Sequence, residues 1–323
     1  MNKPSLADRL DRILDELLAQ PAARAETRDR RLAPLLRLAE DLRGMPEPGF
    51  KEHLRTQLER KINMQATTVT PIPAGYRTVT PYIVVQHAAE MIDFLKQTFG
   101  AQEKFRTIGS AGGIHAEVQV GDSMMMIGGG GAWRGTPMPT ALHYYVPDAD
   151  AVCQRAVATG ATSLLEMREE YGERFGALKD PFGNDWYIAT YLGSRYVPEG
   201  LSDVNVCLHP VGAARLIEFT KRAFAAEEVA RYDSPEGQVL HARIRVGDSI
   251  IEMGEAHGPW QNMPTMLYLY VPDVDAVYAR ALAAGARSIS PLKDQPYGDR
   301  SGGVQDEFGN QWYIATHISD QPL

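Results

Sequence analysis

The amino-acid sequence predicts an α+β protein: two tandem domains, each of paired βαβββ units, preceded by a small α-helical segment. Three observations predict it. Residues 75–190 return with changes at 200–316, as Thr140-Ala-Leu-His-Tyr-Tyr-Val146-Pro-Asp-Ala-Asp-Ala-Val152 against Thr265-Met-Leu-Tyr-Leu-Tyr-Val271-Pro-Asp-Val-Asp-Ala-Val277 shows. Each copy alternates strand and helix patterns, and does so twice over. Residues 1–64 carry helical stripes alone. A period near 120 is too long for a solenoid, whose repeats run about 20–50 residues, so each copy is a domain able to bury a core.

In the N-terminal segment, Leu10, Ile13, Leu14, Leu17 and Leu18 recur at helical spacing behind a Ser5–Asp8 capping-box start. A second stripe is Leu35, Leu38, Ala39 and Leu42, between Pro34 and Gly44, and a third is Phe50, Leu54, Leu58 and Ile62. They either pack on one another and the repeat, or form a docking arm. Residues 65–74, rich in Thr and Pro, form an extended linker. The repeat domains span 75–193 and 200–318.

Inside copy one, Val79 to Val85 alternates as a strand, and Ala89, Ile92, Phe94, Leu95 and Phe99 follow as a helix closed by Gly100. His115 to Val120 and Met124 to Ile127 form a hairpin around Gly121-Asp122. The unit then repeats. Leu142 to Val146 is a strand, Asp148 to Thr159 a helix closed by Gly160, and strands follow near Leu164 and at Trp186–Thr190. Tyr171-Gly-Glu-Arg174 and Tyr297-Gly-Asp-Arg300 read as matched loops before the last hairpin of each copy.

Composition narrows the function. The chain has 323 residues, 44% of them apolar, and a formal charge of −8. Residues 1–64 hold 13 basic and 11 acidic residues against 20 and 30 in the rest, and an acidic repeat without basic runs argues against nucleic acid as a partner. No run approaches the roughly 18 apolar residues of a membrane span. Asp8, Asp11, Asp15 and Glu16 do not suit a secretory signal. Cys153 and Cys207 occupy non-equivalent places in the repeat, so a reduced, cytoplasmic protein is expected.

The segments His115-Ala-Glu-Val-Gln-Val-Gly-Asp-Ser123 and Asp180-Pro-Phe-Gly-Asn184, with their partners His241–Ser249 and Asp306–Asn310, resemble the vicinal oxygen chelate superfamily. That superfamily includes glyoxalase I, bleomycin-resistance proteins and extradiol dioxygenases, and the nearest likeness is to its PhnB-like branch. The resemblance covers about three quarters of the chain and omits residues 1–64. It implies that two βαβββ units curl into a cup around one cavity. It also implies a divalent metal held by His, Gln or Glu at four positions per cup.

Spacing puts Thr80, Met126, Ala141 (or His143 after a two-residue slip) and Tyr187 at those positions in copy one. Copy two has Asn205, Glu252, Met266 (or Tyr268) and Tyr313. Divalent metals of this kind want imidazole or carboxylate, so no metal is expected in copy one and Glu252 is the single candidate ligand in copy two.

Other residues can line the cups. His115 and Glu117 share a strand face, and His241 and Arg243 match them. Trp186 and Trp312 each precede a tyrosine, Tyr187 or Tyr313, so one ring of each pair faces inward. Arg174 and Arg300 either pair with a ligand's carboxylate or phosphate or form salt bridges to a neighbour. The paired histidines are either hydrogen-bonded sheet residues or acid/base groups, with His241 and Glu252 the catalytic candidates. Gly128–Gly131 lacks a following Gly-Lys-Ser/Thr and reads as a lid loop with Trp133 rather than a phosphate loop.

These readings favour metal-independent, sequestration- or resistance-type binding of an aromatic or amphipathic small molecule, without cofactor. The alternative is a metal-dependent lyase, isomerase or dioxygenase centred on copy two. A third reading gives the work to the helical arm. A monomer pairing its domains internally and a homodimer are both expected states.

Overall fold

The computed structural model describes residues 69–320 apart from Ser110, and the three helices expected in residues 1–64 lie outside the described residues. The chain divides into two compact units, Met1–Val69 and Thr70–Leu323. The second unit holds both copies of the repeat.

Copy one runs β1 (Val79–Val85), α1 (Ala88–Phe99), β2 (Gln102–Ile108), β3 (Ile114–Val120), β4 (Ser123–Gly129), β5 (Ala141–Tyr145), α2 (Ala149–Ala158), β6 (Thr162–Glu170), β7 (Glu173–Lys179) and β8 (Asp185–Tyr191). Copy two repeats it as β9 (Val204–Leu208), α3 (Ala213–Phe224), β10 (Glu227–Asp233), β11 (Val239–Val246), β12 (Ser249–Met253), β13 (Met266–Tyr270), α4 (Val274–Ala283), β14 (Arg287–Asp294), β15 (Asp299–Gln305) and β16 (Gln311–His317). Each copy is thus βαβββ twice, as the sequence predicts.

Local chemistry sets the boundaries. In the repeated Val-Pro-Asp motif, Asp148 accepts a hydrogen bond from the Ala151 amide at 3.0 Å and Asp273 from that of Ala276 at 3.1 Å, capping α2 and α4. Gly100 ends α1 in the left-handed region, its amide bonded back to Lys96. The expected loop at 171–174 is instead the turn of a hairpin: Tyr171 and Gly172 have φ of 54° and 79°, and Glu173 and Arg174 already belong to β7.

The sheets cross the copies. One has the order β14-β15-β16-β13-β1-β4-β3-β2, the other β10-β11-β12-β9-β5-β8-β7-β6. Each joins the first half of one copy to the second half of the other, through the antiparallel pairs β1/β13 and β5/β9. The expectation that the two units of one copy enclose one cavity therefore gives way to two cups, each shared by both copies. We call them cup A (β1–β4 with β13–β16) and cup B (β5–β8 with β9–β12).

The aromatic ring contacts of the core pair within copies. Phe99 packs its ring 4.5 Å from that of Trp186 and 5.3 Å from that of Tyr144. Phe224 meets Trp312 at 4.7 Å in copy two. These rings belong to one continuous buried cluster with Leu95, Leu142, Ile188, Leu216, Leu267 and Ile314. Strand alternation then gives each sheet an apolar face toward the helices and a second face toward its cup.

The motifs that carry the family resemblance prove to be scaffold. Asp180 Oδ1 accepts from the Phe182 and Asn184 amides, and Oδ2 from Asn184 Nδ2 and the Trp186 indole at 2.9 Å. Asp306 repeats all four bonds with Phe308, Asn310 and Trp312. The Gly-Asp-Ser turns stitch the copies: Asp122 and Asp203 each accept the other's amide at 2.9 Å. Ser123 and Ser249 hydroxyls accept from the amides of Val204 and Val79 at 3.0 Å.

Candidate functional site

Cup B is built on the helix-free faces of β5, β7, β8, β9, β11 and β12. Leu142 and Tyr144 turn to the core, so His143 and Tyr145 turn to the cup. The same alternation brings in Glu173, Tyr187, Cys207, His241, Arg243 and Glu252. Register fixes their meeting: His143 lies opposite Tyr187 and Asn205, and Glu252 lies opposite Cys207 and Arg243. Asn205 spends its amide on Ser202 at 2.7 and 3.1 Å.

At the floor stands Glu252, 3% exposed. Its Oε1 accepts from Arg243 Nε at 2.8 Å, and its Oε2 lies 2.6 Å from His143 Nδ1 and 3.6 Å from the Cys207 thiol. Arg243 Nη2 reaches the Tyr145 hydroxyl at 3.4 Å, and that hydroxyl donates to Glu173 at 2.8 Å. His143 stacks on Tyr145 with ring centres 4.2 Å apart. Its Nε2 is buried without a hydrogen-bond partner, 3.7 Å from Glu173 Oε2.

Burial opposes the charge on Glu252, but His143 and Arg243 outweigh it and hold the carboxyl well below the usual carboxylate range. Burial likewise opposes charging His143, and Glu252 and Glu173 reverse it, raising the imidazole's pKa. The floor is therefore a network of opposite charges in balance. The rim is aromatic. Tyr187 bonds to His209 Nε2 at 2.8 Å, and Trp260 lies over both, 4.9 Å from Tyr187 and stacked on His209. Burial lowers the His209 pKa to about 4, and its Nδ1 has no partner.

Cup A carries a different set. Tyr82, His115, Glu117, Met126, Tyr268, Tyr270, Asp299 and Tyr313 face it, with Tyr76 beside them. Tyr82 bonds to His115 Nδ1 at 2.9 Å, and burial lowers the His115 pKa. Tyr268 and Tyr270 both donate to Asp299 Oδ2, at 2.9 and 3.1 Å. Gly128 serves this cup, because a Cβ there would stand 2.7 Å from the Tyr82 ring. The glycine run thus admits a tyrosine.

Several expected lining residues lie elsewhere. Trp186 and Trp312 are 1% and 0% exposed in the core, their indoles held by Asp180 and Asp306. Their following tyrosines take the cup faces. Arg174 and Arg300 point to the helices, bonding bidentately to Asp150 and Asp275 in the first turns of α2 and α4. The preceding residues, Glu173 and Asp299, face the cups instead. Sequence reasoning missed both, along with Tyr145, Cys207, His209 and Trp260. For Glu173 and Asp299 the signal was their place on β7 and β15, hidden by reading those stretches as loops.

The expectation that copy two works by itself is corrected by the same register. Glu252 is joined by His143 and Cys207, the donor atoms of all three lying within 4.8 Å of one another, so copy one supplies one ligand-grade residue, His143, to the same cup. A divalent metal asks for such a set with open lone pairs. Here both Glu252 oxygens already accept hydrogen bonds, one of them from a guanidinium, and His143 lies against the carboxylate with no room between. As arranged, the donors bond to one another and to Arg243. In cup A, Thr80, Met126, Tyr268 and Tyr313 offer no imidazole or carboxylate.

Known proteins share this architecture. The model of the Glyoxalase/Bleomycin resistance protein/Dioxygenase superfamily matches residues 77–188 and 212–314, one segment in each copy. The uncharacterized proteins Mb0911c of Mycobacterium bovis and Rv0887c of Mycobacterium tuberculosis are each 36% identical over 119 residues, covering 33% of this chain and 78% and 70% of theirs. Among solved structures, glyoxalase I from Zea mays aligns with a TM-score of 0.57 at 13% identity, over 74% of this chain and 92% of that one. A putative dioxygenase from Bacillus subtilis aligns with a TM-score of 0.53 at 17% identity, over 74% and 84%. At these identities the two structures speak for the fold alone. Matched by the family's model in both copies, over residues 77–188 and 212–314, this chain belongs to the Glyoxalase/Bleomycin resistance protein/Dioxygenase superfamily.

Proposed function

We propose that this protein binds a planar or amphipathic small molecule in cup B without a metal, in the manner of a sequestering or resistance-type protein. One observation carries the reading: the floor carboxylate, Glu252, has both oxygens committed to Arg243 and His143. A floor already satisfied by protein donors is organised for hydrogen bonding rather than for coordination. Two buried polar atoms lack a hydrogen-bond partner and would gain one from a guest, His143 Nε2 and His209 Nδ1. The Tyr187 and Trp260 rings, tilted 54° to one another, supply apolar surface beside them. A ring with a polar edge meets both demands. Because β5/β9 and β1/β13 pair within one chain, we further propose that a monomer suffices for both cups.

A metal-dependent lyase, isomerase or dioxygenase is the second reading, favoured by the convergence of His143, Cys207 and Glu252. Metal analysis of the purified protein, with a fluorescence titration of 7-hydroxycoumarin, separates the two. Metal-free protein that binds the dye saturably, and loses binding in Tyr187→Ala, supports the first. A stoichiometric metal lost in both His143→Ala and Glu252→Gln would replace it with the second.

A further inference from the structure

The cups are built on equivalent positions but differ in charge. Arg243 in cup B stands where cup A has Glu117, two residues beyond the strand's histidine in each case. Glu252 corresponds to Met126, His143 to Tyr268, Tyr145 to Tyr270 and Glu173 to Asp299. In cup B a guanidinium from the chain itself lies against a carboxylate and a phenol. Cup A keeps the phenols and has two carboxylates, and the guanidinium is gone.

His317 partly compensates Asp299, its Nδ1 at 2.9 Å from Oδ1. Glu117 has no lysine or arginine partner among the described residues. Lys293, opposite Ser301 on edge strand β14, is exposed. Burial raises the Glu117 pKa and Asp299 adds to it, while the neighbouring Tyr76 hydroxyl works in the other direction. The Tyr76 hydroxyl lies beside Glu117, buried and without an aligned hydrogen bond. Around this point Tyr76, Tyr82, Tyr268, Tyr270 and Tyr313 pack with Met126 into a wall of aromatic and thioether surface.

We propose that cup A is a second binding site, for an organic monocation whose ammonium or guanidinium group is seated at Glu117 against the tyrosine faces. Such a ligand would supply from outside the charge that Arg243 supplies within cup B. Two features select this class. One uncompensated carboxylate matches one positive charge. The ring faces attract a weakly hydrated cation, whereas a small metal ion needs several oxygen donors. The proposal concerns residues that cup B does not use, so it stands or falls separately from the reading of that cup.

The test is calorimetric titration of the full chain with benzylamine hydrochloride near neutral pH and low salt, alongside benzyl alcohol. The charged probe is expected to bind saturably, and the neutral one about tenfold more weakly or worse, the scale of a desolvated cation–π contact. Glu117→Gln should remove most of that preference while leaving the weak binding of benzyl alcohol as it was. Tyr313→Leu should weaken benzylammonium with Glu117 intact. Equal affinity for the two probes would overturn the proposal. So would unchanged affinity in Glu117→Gln, competition by magnesium chloride, or no heat of binding to concentrations on the order of 10 mM.

Discussion

Replacing Glu252 by Gln keeps the side-chain shape and removes the charge shared by Arg243 and His143. Arg243 is then left with the 3.4 Å contact to Tyr145 as its nearest compensation. Removing one member of a buried pair costs about 3–5 kcal/mol. Since the Arg243 side chain is 25% exposed, water recovers part of the loss and a cost of about 3 kcal/mol is expected. For a unit of this size each kcal/mol moves the melting temperature by about 2–4 °C, so a fall of about 6–12 °C follows.

The pH dependence makes the test specific. The His143 pKa is raised above 6.5 in the folded protein. A raised histidine contributes stability that is complete below its unfolded value and is lost as pH rises through its folded value. Glu252, whose pKa is depressed, contributes fully above the unfolded value of 4.5 and so adds no slope at higher pH. The difference between wild type and Glu252→Gln should therefore be larger near pH 6 than near pH 9. Urea unfolding followed by circular dichroism at both pH values measures it. The double variant Arg243→Met/Glu252→Met should recover most of the loss, because it leaves no arginine unpaired. A single-variant cost below about 1 kcal/mol, flat with pH, would refute the charge-network account.

Trp186→Ala should cost about 3–5 kcal/mol in the same assay and leave 7-hydroxycoumarin binding to the remaining folded protein unchanged, since the indole is in the core. Arg300→Ala, which removes a side chain 10% exposed and bonded to Asp275 and Asp294, should lower the melting temperature more than Arg174→Ala, with ligand affinity unaffected by either. Trp260 fluorescence should hold steady from about pH 8 to pH 6 and change as His209 is protonated near about 4, because a stacked imidazolium quenches indole emission. His209 should also make stability fall as pH drops from 6.5 toward 4, since its folded pKa is depressed, and Tyr187→Phe/His209→Phe should flatten that part of the profile.

Much of the fold was legible because its signals are local. The Val-Pro-Asp caps, the glycine stops and the two-residue alternation of Val79–Val85 or His115–Val120 each act within a few residues of themselves. The repeat then made the same reading twice. Where local signals conflict, the sequence misled. Tyr171-Gly172 reads as loop, yet it is a tight turn whose flanks are paired strand, and the β7 alternation of Glu173, Phe175 and Ala177 was lost with it. Trp186 and Tyr187 both looked like lining residues. The four bonds converging on Asp180 decide between them, and they join residues a few positions apart through a turn whose shape no alternation rule supplies.

The sequence by itself determined most of the elements, their order and their duplication. Tertiary structure alone decided which halves share a sheet. Strand pairing between β5 and β9, rather than within a copy, carries His143 of one copy to Glu252 of the other, a separation of 109 residues closed to 2.6 Å. The two edges β1 and β5 carry similar patterns and can satisfy their hydrogen bonds equally well on several partners. In the folded chain α1 packs against α2 and α3 against α4, and β1 and β5 complete their hydrogen bonds on β13 and β9 of the other copy.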